Sequence, residues 1–152
     1  MGITAELSAF TANMKLATLP PEVVTRARFL VLDLVGNIVR ARHDAESTAS
    51  FLAAARAMGM ASGNVGVFGD SARYTPAGAA FLNGALAHSL DFDDTHAAGS
   101  LHPGAPVIPA ALAAGEMVGA SGADVLAGII AGYEITCRVA LALPAGEHYD
   151  RG

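Results

Sequence analysis

The chain is poor in charged residues and carries almost no lysine. Charged residues make up 15% of its 152 residues, the net charge is −5, and Lys15 is the single lysine beside eight arginines. Nucleic-acid binding requires a clustered basic face, because neutralising phosphates supplies most of the affinity, so no nucleic-acid partner is expected. Protein surfaces are usually about a quarter to a third charged. We therefore expect a partner subunit or further sequence to cover part of this surface.

Cysteine is as scarce as lysine, and long uncharged apolar runs are missing. Cys137 is the single cysteine, which rules out an internal disulfide and favours a reducing compartment. No basic region followed by an apolar run marks a secretory signal at the start of the chain. The best candidate for a membrane span, residues 123–143, contains Asp124, Glu134 and Arg138, each costly in hydrocarbon. We predict a cytoplasmic protein with no membrane partner.

Apolar residues recur at helical spacing through nearly the whole chain. This pattern predicts an all-α, bundle-like domain of about six helices with at most one short strand, at residues 64–70. Alternating strands and helices are missing from the sequence, which excludes a Rossmann sheet. The predicted helices cover residues 4–17, Pro21 to Arg42, a Ser47 cap to about Met60, a Thr75 cap through Thr95, Pro106 or Pro109 to Gly119, and residues 121–143 closed by Pro144.

Two glycine positions inside predicted helices call for a packing explanation. Gly36 interrupts the apolar stripe of the second helix, which indicates either a close helix contact or a local break. Gly128 and Gly132 lie near one face of the last helix, a spacing that lets a neighbouring helix approach closely. We expect this pair to serve core packing.

The titratable residues gather in one segment, "HSLDFDDTHAAGSLHPG", residues 88–104. If the helix from Thr75 continues through Thr95, His88, Asp91, Phe92 and Thr95 project within about 100° of one another. Asp91 is then the aspartate that faces a pocket, whereas the two aspartates that follow Phe92 point elsewhere.

Three interpretations of this segment remain open from the residues alone. A metal would use His88, Asp91 and either His96 or His102 as ligands, but the sequence lacks an HExxH motif and an i, i+4 histidine pair. An acid/base site would use His102, because a carboxylate tunes a neighbouring imidazole and the helix that follows favours an anionic ligand. In a structural interpretation, Asp93, Asp94 and Thr95 end a helix and cap turns.

The stretch "NGALAHSLDFDDTH", followed by "LHPGAPVIPAALAAGE", resembles the signature of the MmgE/PrpD family. The similarity covers most of the chain from about residue 20 and includes "VLDLVGNIVRAR" and "YTPAGAAFLNG". The resemblance implies a mostly helical N-terminal domain, a second smaller α+β domain, a homodimer, and no metal or other cofactor. The positions that match the family's catalytic residues are Asp91, Thr95 and His102. His88, His96 and Gly104 are carried over as substrate-binding residues.

The resemblance implies a lyase that acts on a small di- or tricarboxylate, and it favours a 2-methylcitrate dehydratase-like dehydration. A cis-aconitate decarboxylase-like or an iminodisuccinate epimerase-like activity is the alternative within the family. Residues 1–152 are expected to be the incomplete helical domain of a larger two-domain enzyme, with the cations that bind the substrate lying outside this chain. A rival interpretation is a truncated, inactive fragment that acts only as a folding or oligomerisation unit.

Overall fold

The computed structural model describes residues 2–143, which form six α-helices and a small two-strand sheet. The all-α fold is therefore confirmed. No helix in this part of the chain is long and apolar enough to cross a membrane. The helices are α1 (Ile3–Ala12), α2 (Pro21–Asp44), α3 (Thr48–Ala57), α4 (Pro76–His88), α5 (Gly104–Val118) and α6 (Gly122–Leu141), and the strands are β1 (Val65–Gly66) and β2 (Arg73–Tyr74).

Helix α4 lies at the centre of the domain and packs against α2, α3 and α5. Its Leu82 and Leu86 are fully buried with Leu34 and Ile38 of α2 and Ile108 of α5. Burying one such side chain contributes about 1.5–3 kcal/mol, so α4 is anchored along its length. The C-terminal end of α4 is thereby held in a fixed position, and the candidate site begins there.

The contact between α4 and α5 is close where they cross. There α4 has a glycine without a side chain, and α5 has a proline without a backbone N–H. A Cβ on Gly84 would lie 2.9 Å from the Ala105 carbonyl oxygen. Pro109 stands inside α5 and has no N–H to donate to that carbonyl. Helix α5 begins at Gly104, so the predicted start at Pro106 or Pro109 is wrong. Pro106 is tolerated in the first turn, where N–H groups need no helical partner.

Several other boundaries differ from the sequence prediction. Helix α1 ends at Ala12, and α2 continues unbroken through Gly36, where a Cβ would meet nothing within 4 Å. The Ser47 hydroxyl makes no capping bond and donates to Ser89 instead. The predicted strand exists, but it pairs with a second strand that was not predicted. Pro144 lies outside the described residues.

Candidate active site

Helix α4 ends at His88 and does not continue to Thr95, so the argument that placed Asp91 and Thr95 on one helical face is wrong. Two local features end the helix. The Ser89 hydroxyl donates to the Ala85 carbonyl at 2.6 Å, and Asp91 adopts a left-handed backbone with φ of 56°. Aspartate visits this region more readily than most residues because its short side chain can hydrogen-bond locally. Residues 89–103 therefore leave the helix axis and form a loop, which we call the site loop.

Asp93 turns inward from the site loop and binds His88. Its side chain is fully buried, and its Oδ1 and Oδ2 lie 2.9 and 3.2 Å from Nδ1 of His88. A buried carboxylate beside an imidazole fixes the orientation of the ring and favours the tautomer with hydrogen on Nδ1. The Nε2 atom of His88 is then the nitrogen that is available to an external ligand.

His102 lies at the other end of the site loop and contacts the same group of residues. Its ring centre is 4.8 Å from that of His88, with an edge-to-face arrangement. Its Nδ1 lies 3.5 Å from Oδ1 of Asp93 without hydrogen-bond geometry, and this buried nitrogen has no hydrogen-bond partner within residues 2–143. Its Nε2 lies 4.0 Å from Oδ1 of Asp91. Each ring nitrogen of His102 thus faces a carboxylate.

The three residues predicted to be catalytic differ in their surroundings. The Asp91 side chain is 79% exposed and the His102 side chain is 32% exposed, so both are accessible from one side of the loop. Thr95 is exposed, and its hydroxyl makes no hydrogen bond to any residue that the structure describes. Asp91 and His102 are brought together, whereas Thr95 makes no hydrogen bond to either of them. Their catalytic roles stay predictions.

The residues predicted to bind substrate, other than His88, serve local structure in this state. Nδ1 of His96 accepts from the Gly99 N–H at 3.0 Å and caps a short 3-10 turn, Ala97–Gly99. His96 also pairs with Leu101 through its backbone. The Gly104 N–H donates to Oδ1 of Asp94 at 3.1 Å. Their roles toward a substrate stay predictions.

Asp94 points away from the two histidines and joins the site loop to two helices. Its Oδ2 accepts from the Tyr133 hydroxyl of α6 at 3.1 Å, and its Oδ1 accepts from Gly104 at the start of α5. Burial raises the pKa of the Asp94 carboxyl, and these two hydrogen bonds offset only part of that effect. Burial, followed by the adjacent Asp94 carboxylate, also raises the pKa of Tyr133.

Two depressions border the site loop and differ in charge. The first has a volume of about 480 Å³ and places His88 and His102 against an apolar wall of Phe81 and Pro106. The second, of about 460 Å³, is lined by Arg26 and Phe92 together with the carboxylates of Asp33 and Asp94. The imidazoles therefore lie beside a hollow with the volume typical of a small-molecule site, while the guanidinium group lies in the neighbouring hollow with two carboxylates.

One cluster of side chains could hold a metal, since one ligand atom from each member lies within 4.8 Å of the others. Its members are His88, Asp91, Asp93 and His102. Zinc bound at about 2.0–2.1 Å to each ligand in a tetrahedron separates neighbouring ligand atoms by about 3.3 Å. The 2.9 Å contact between His88 and Asp93 is shorter and has the length of a charge-assisted hydrogen bond. The spacing therefore fits an acid/base pair better than two ligands of one metal.

Sequence reasoning missed three residues that build this site. The sequence assigns Asp93 to turns, while Tyr133 and Arg26 lie far from the segment in sequence. For Asp94 the sequence allows a position facing solvent or the start of another helix, and its bond to Gly104 at the start of α5 agrees with the second. The doubled aspartate in "DFDD" was the available signal, because two adjacent acidic side chains in a loop point to different sides. No comparable signal marks Tyr133 or Arg26, whose proximity depends on helix packing.

Comparisons with known proteins agree with the resemblance seen in the sequence. The chain is 31% identical to the cis-aconitate decarboxylase-like protein oryM of Aspergillus oryzae over 99% of this chain and 32% of that protein. It is 27% identical to a cis-aconitate decarboxylase of Aspergillus terreus over 99% of this chain and 31% of that protein. It is 32% identical to the cis-aconitate decarboxylase of Homo sapiens over 90% of this chain and 29% of that protein.

The chain spans about a third of the length of these relatives. Residues 5–151 match the family model described as the MmgE/PrpD N-terminal domain. This match covers nearly the whole chain, including the site loop, most of α1 and all of helices α2 to α6. The chain therefore belongs to the MmgE/PrpD family.

Proposed function

We propose that this chain supplies one side of the active site of a lyase that acts on a small di- or tricarboxylate. The observation that carries the proposal is the buried Asp93 carboxylate between two imidazoles, 2.9 Å from His88 and 3.5 Å from His102. A buried acid that orients accessible imidazoles is an arrangement suited to general acid–base catalysis, which needs a positioned group within reach of the proton. The hollow of about 480 Å³ beside both rings provides the space for a substrate.

His102 is the group proposed to move the proton. Its Nε2 lies beside the exposed Asp91, and its Nδ1 is close enough to Asp93 to gain a hydrogen bond through a small rotation of the ring. Catalytic hydrogen bonds are often long before substrate binds and shorten in the complex. Asp93 would then favour one tautomer of His102, so that its Nε2 exchanges the proton with substrate. Thr95 is the proposed hydrogen-bond donor to the substrate, and this role rests on the family resemblance.

The relatives favour decarboxylation of an unsaturated tricarboxylate as the reaction. In that reaction the bond between carbon and the departing carboxylate breaks, CO₂ leaves, and the electron pair stays on the substrate and takes up a proton. Dehydration of a 2-methylcitrate-like hydroxy acid is the second candidate, since the family signature fits both. There the imidazole removes a proton next to a carboxylate, and the hydroxyl group leaves as water after it gains a proton.

A substrate with two or three carboxylates requires cationic partners. The cluster itself contributes Asp91 and Asp93, which repel an anion unless the histidines are protonated. Arg26 of α2 lines the neighbouring hollow together with Asp33 and Asp94. It is the proposed contact for a remote carboxylate, although these two aspartates leave that hollow without a net positive charge. Further cations would come from residues outside this chain, as the composition suggests.

The test compares two substrates and two histidine variants. The remaining two thirds of a relative-length protein is added to the chain. The mixture is incubated with cis-aconitate, while CO₂ release is measured, and with 2-methylcitrate, while formation of the carbon–carbon double bond is measured. We expect CO₂ release, with His102→Asn reducing the rate at least about 100-fold, in the range of general acid–base contributions. His43→Asn is the matched control, because His43 is an exposed histidine near the end of α2. Unchanged turnover in His102→Asn would remove His102 from the mechanism.

The rival function, an inactive folding or oligomerisation unit, makes a different prediction. Several large apolar side chains are exposed, including Phe29 at 60% and Leu32 at 67%, as expected for a surface that packs against other protein. If the chain acts only as a folding or oligomerisation unit, turnover of the completed protein should be the same with His102→Asn as with the unaltered chain. The two outcomes are mutually exclusive in the same assay.

A further inference from the structure

We infer that Asp94 and Tyr133 are positioning residues that hold His102 against His88. The two side chains and the Gly104 N–H form one hydrogen-bonded unit, which we call the Asp94 clamp. This inference rests on the proposed function, because it assigns a purpose to holding His102 still. It adds a role for α6, because the Tyr133 side chain of this helix binds Asp94 in the site loop.

The clamp joins three separate parts of the chain through a single carboxylate. Oδ2 of Asp94 accepts from the Tyr133 hydroxyl at 3.1 Å, and Oδ1 accepts from the Gly104 N–H at 3.1 Å. Tyr133 is 39 residues from Asp94 in sequence. The site loop is therefore tied to α6 and to the start of α5 at the same point.

Gly104 provides independent evidence that this point is tightly built. A Cβ at position 104 would lie 2.1 Å from Oδ1 of Asp94 and 2.7 Å from the Tyr133 hydroxyl. Both distances are well below any real contact, and both neighbours are members of the clamp. The absence of a side chain at position 104 is thus what allows the carboxylate and the phenol to reach the backbone.

The clamp acts on His102 through a very short connection. Only Pro103 separates His102 from Gly104. Pro103 is fully buried, and its ring fixes its φ. A movement of Gly104 is therefore passed directly to the His102 backbone. Because His102 Nδ1 lies 3.5 Å from Asp93, a shift of a few tenths of an ångström decides whether that hydrogen bond can form.

The experiment removes one hydroxyl and reads the position of the histidine ring. In Tyr133→Phe we expect the Gly104 amide hydrogen to exchange at least about threefold faster, as the loss of one hydrogen bond implies. We also expect the nuclear Overhauser contact between the His88 and His102 rings to weaken. Tyr74→Phe is the matched control, because Tyr74 donates a similar bond to Asp70 at 3.2 Å near the opposite end of α4. That variant should change neither signal.

Each possible outcome bears on the inference. Unaltered Gly104 exchange and ring contact in Tyr133→Phe would overturn it, as would equal changes in Tyr74→Phe. If Tyr133→Phe does not fold, Asp94→Asn serves as the second variant, since its single carbonyl oxygen replaces two carboxylate acceptors. These signals need no substrate, so a failure of the proposed lyase activity is detected separately, by the His102→Asn turnover assay.

Discussion

The carboxylate of Asp93 lies 2.9 Å from Nδ1 of His88, and this contact holds the imidazole ring in place at the candidate site. The carboxylate is fully buried, whereas the imidazole is 52% exposed. A buried charge is costly unless it is hydrogen-bonded. The pair therefore combines an internal anchor with an accessible ring, which is why we treat it as the centre of the site.

Replacing Asp93 with Asn should lower both stability and ring order. The amide keeps the shape of the carboxylate but loses the charge-assisted hydrogen bond, so the free energy of unfolding should fall by about 1–3 kcal/mol. Urea denaturation measures this change. Asp33→Asn is the control, because Asp33 is exposed on α2, and it should alter stability by less than about 0.5 kcal/mol. Equal effects of the two variants would contradict a special role for Asp93.

The sequence predicted the parts of the site that depend on local chemistry. Thr75 and Pro76 identify the start of α4, and the Thr75 hydroxyl does accept from Gly78 at 3.1 Å. The end of α4 was predicted seven residues too late. That error arose because hydrophobic periodicity does not register the features that end α4, which are the bond from the Ser89 hydroxyl to Ala85 and the left-handed backbone of Asp91. The bond between Asp94 and Tyr133 that follows depends on tertiary packing. A periodicity argument contains no information about such contacts.

The pH dependence of stability should have opposite signs at two aspartates that each bind a tyrosine. Burial raises the pKa of Asp94. The stability that Asp94 contributes is therefore present below the ordinary carboxyl pKa of about 3.9 and is lost as the pH rises through the raised value. The amide of Asp94→Asn does not ionise, so the variant does not lose stability in this way. The difference in the free energy of unfolding between the unaltered chain and the variant should therefore shrink as the pH rises.

Asp70 provides the opposite case. Burial alone would raise its pKa, but hydrogen bonds from Ala72 and Tyr74, together with Arg42, outweigh burial and lower it. Asp70 therefore contributes stability above the ordinary carboxyl pKa that is lost as the pH falls through the lowered value. The advantage of the unaltered chain over Asp70→Asn should grow with rising pH. Denaturation at a series of acidic pH values tests both slopes, and slopes of the same sign would contradict the assignment.

The chain should not depend on a metal for its stability. Nδ1 of His88 and Oδ1 of Asp93 lie 2.9 Å apart, which is too short for these two atoms to be ligands of one tetrahedral ion. We expect dialysis against a chelator to leave the melting temperature unchanged and elemental analysis to find no stoichiometric metal. A melting temperature that falls after chelation and recovers with zinc would instead assign His88, Asp91, Asp93 and His102 as ligands.

Two glycines on α6 should respond in opposite ways to the same substitution. A Cβ on Gly128 meets nothing within 4 Å, whereas a Cβ on Gly132 would lie 2.6 Å from Cγ1 of Val107 in α5. Gly128→Ala should therefore raise the free energy of unfolding by about 0.5–1 kcal/mol, because alanine is the better helix former. Gly132→Ala should lower it by about 1–3 kcal/mol, because a branched side chain must move within a packed helix contact. Urea denaturation of both variants tests the pair, and equal stabilisation by the two would show that α5 and α6 do not approach through Gly132.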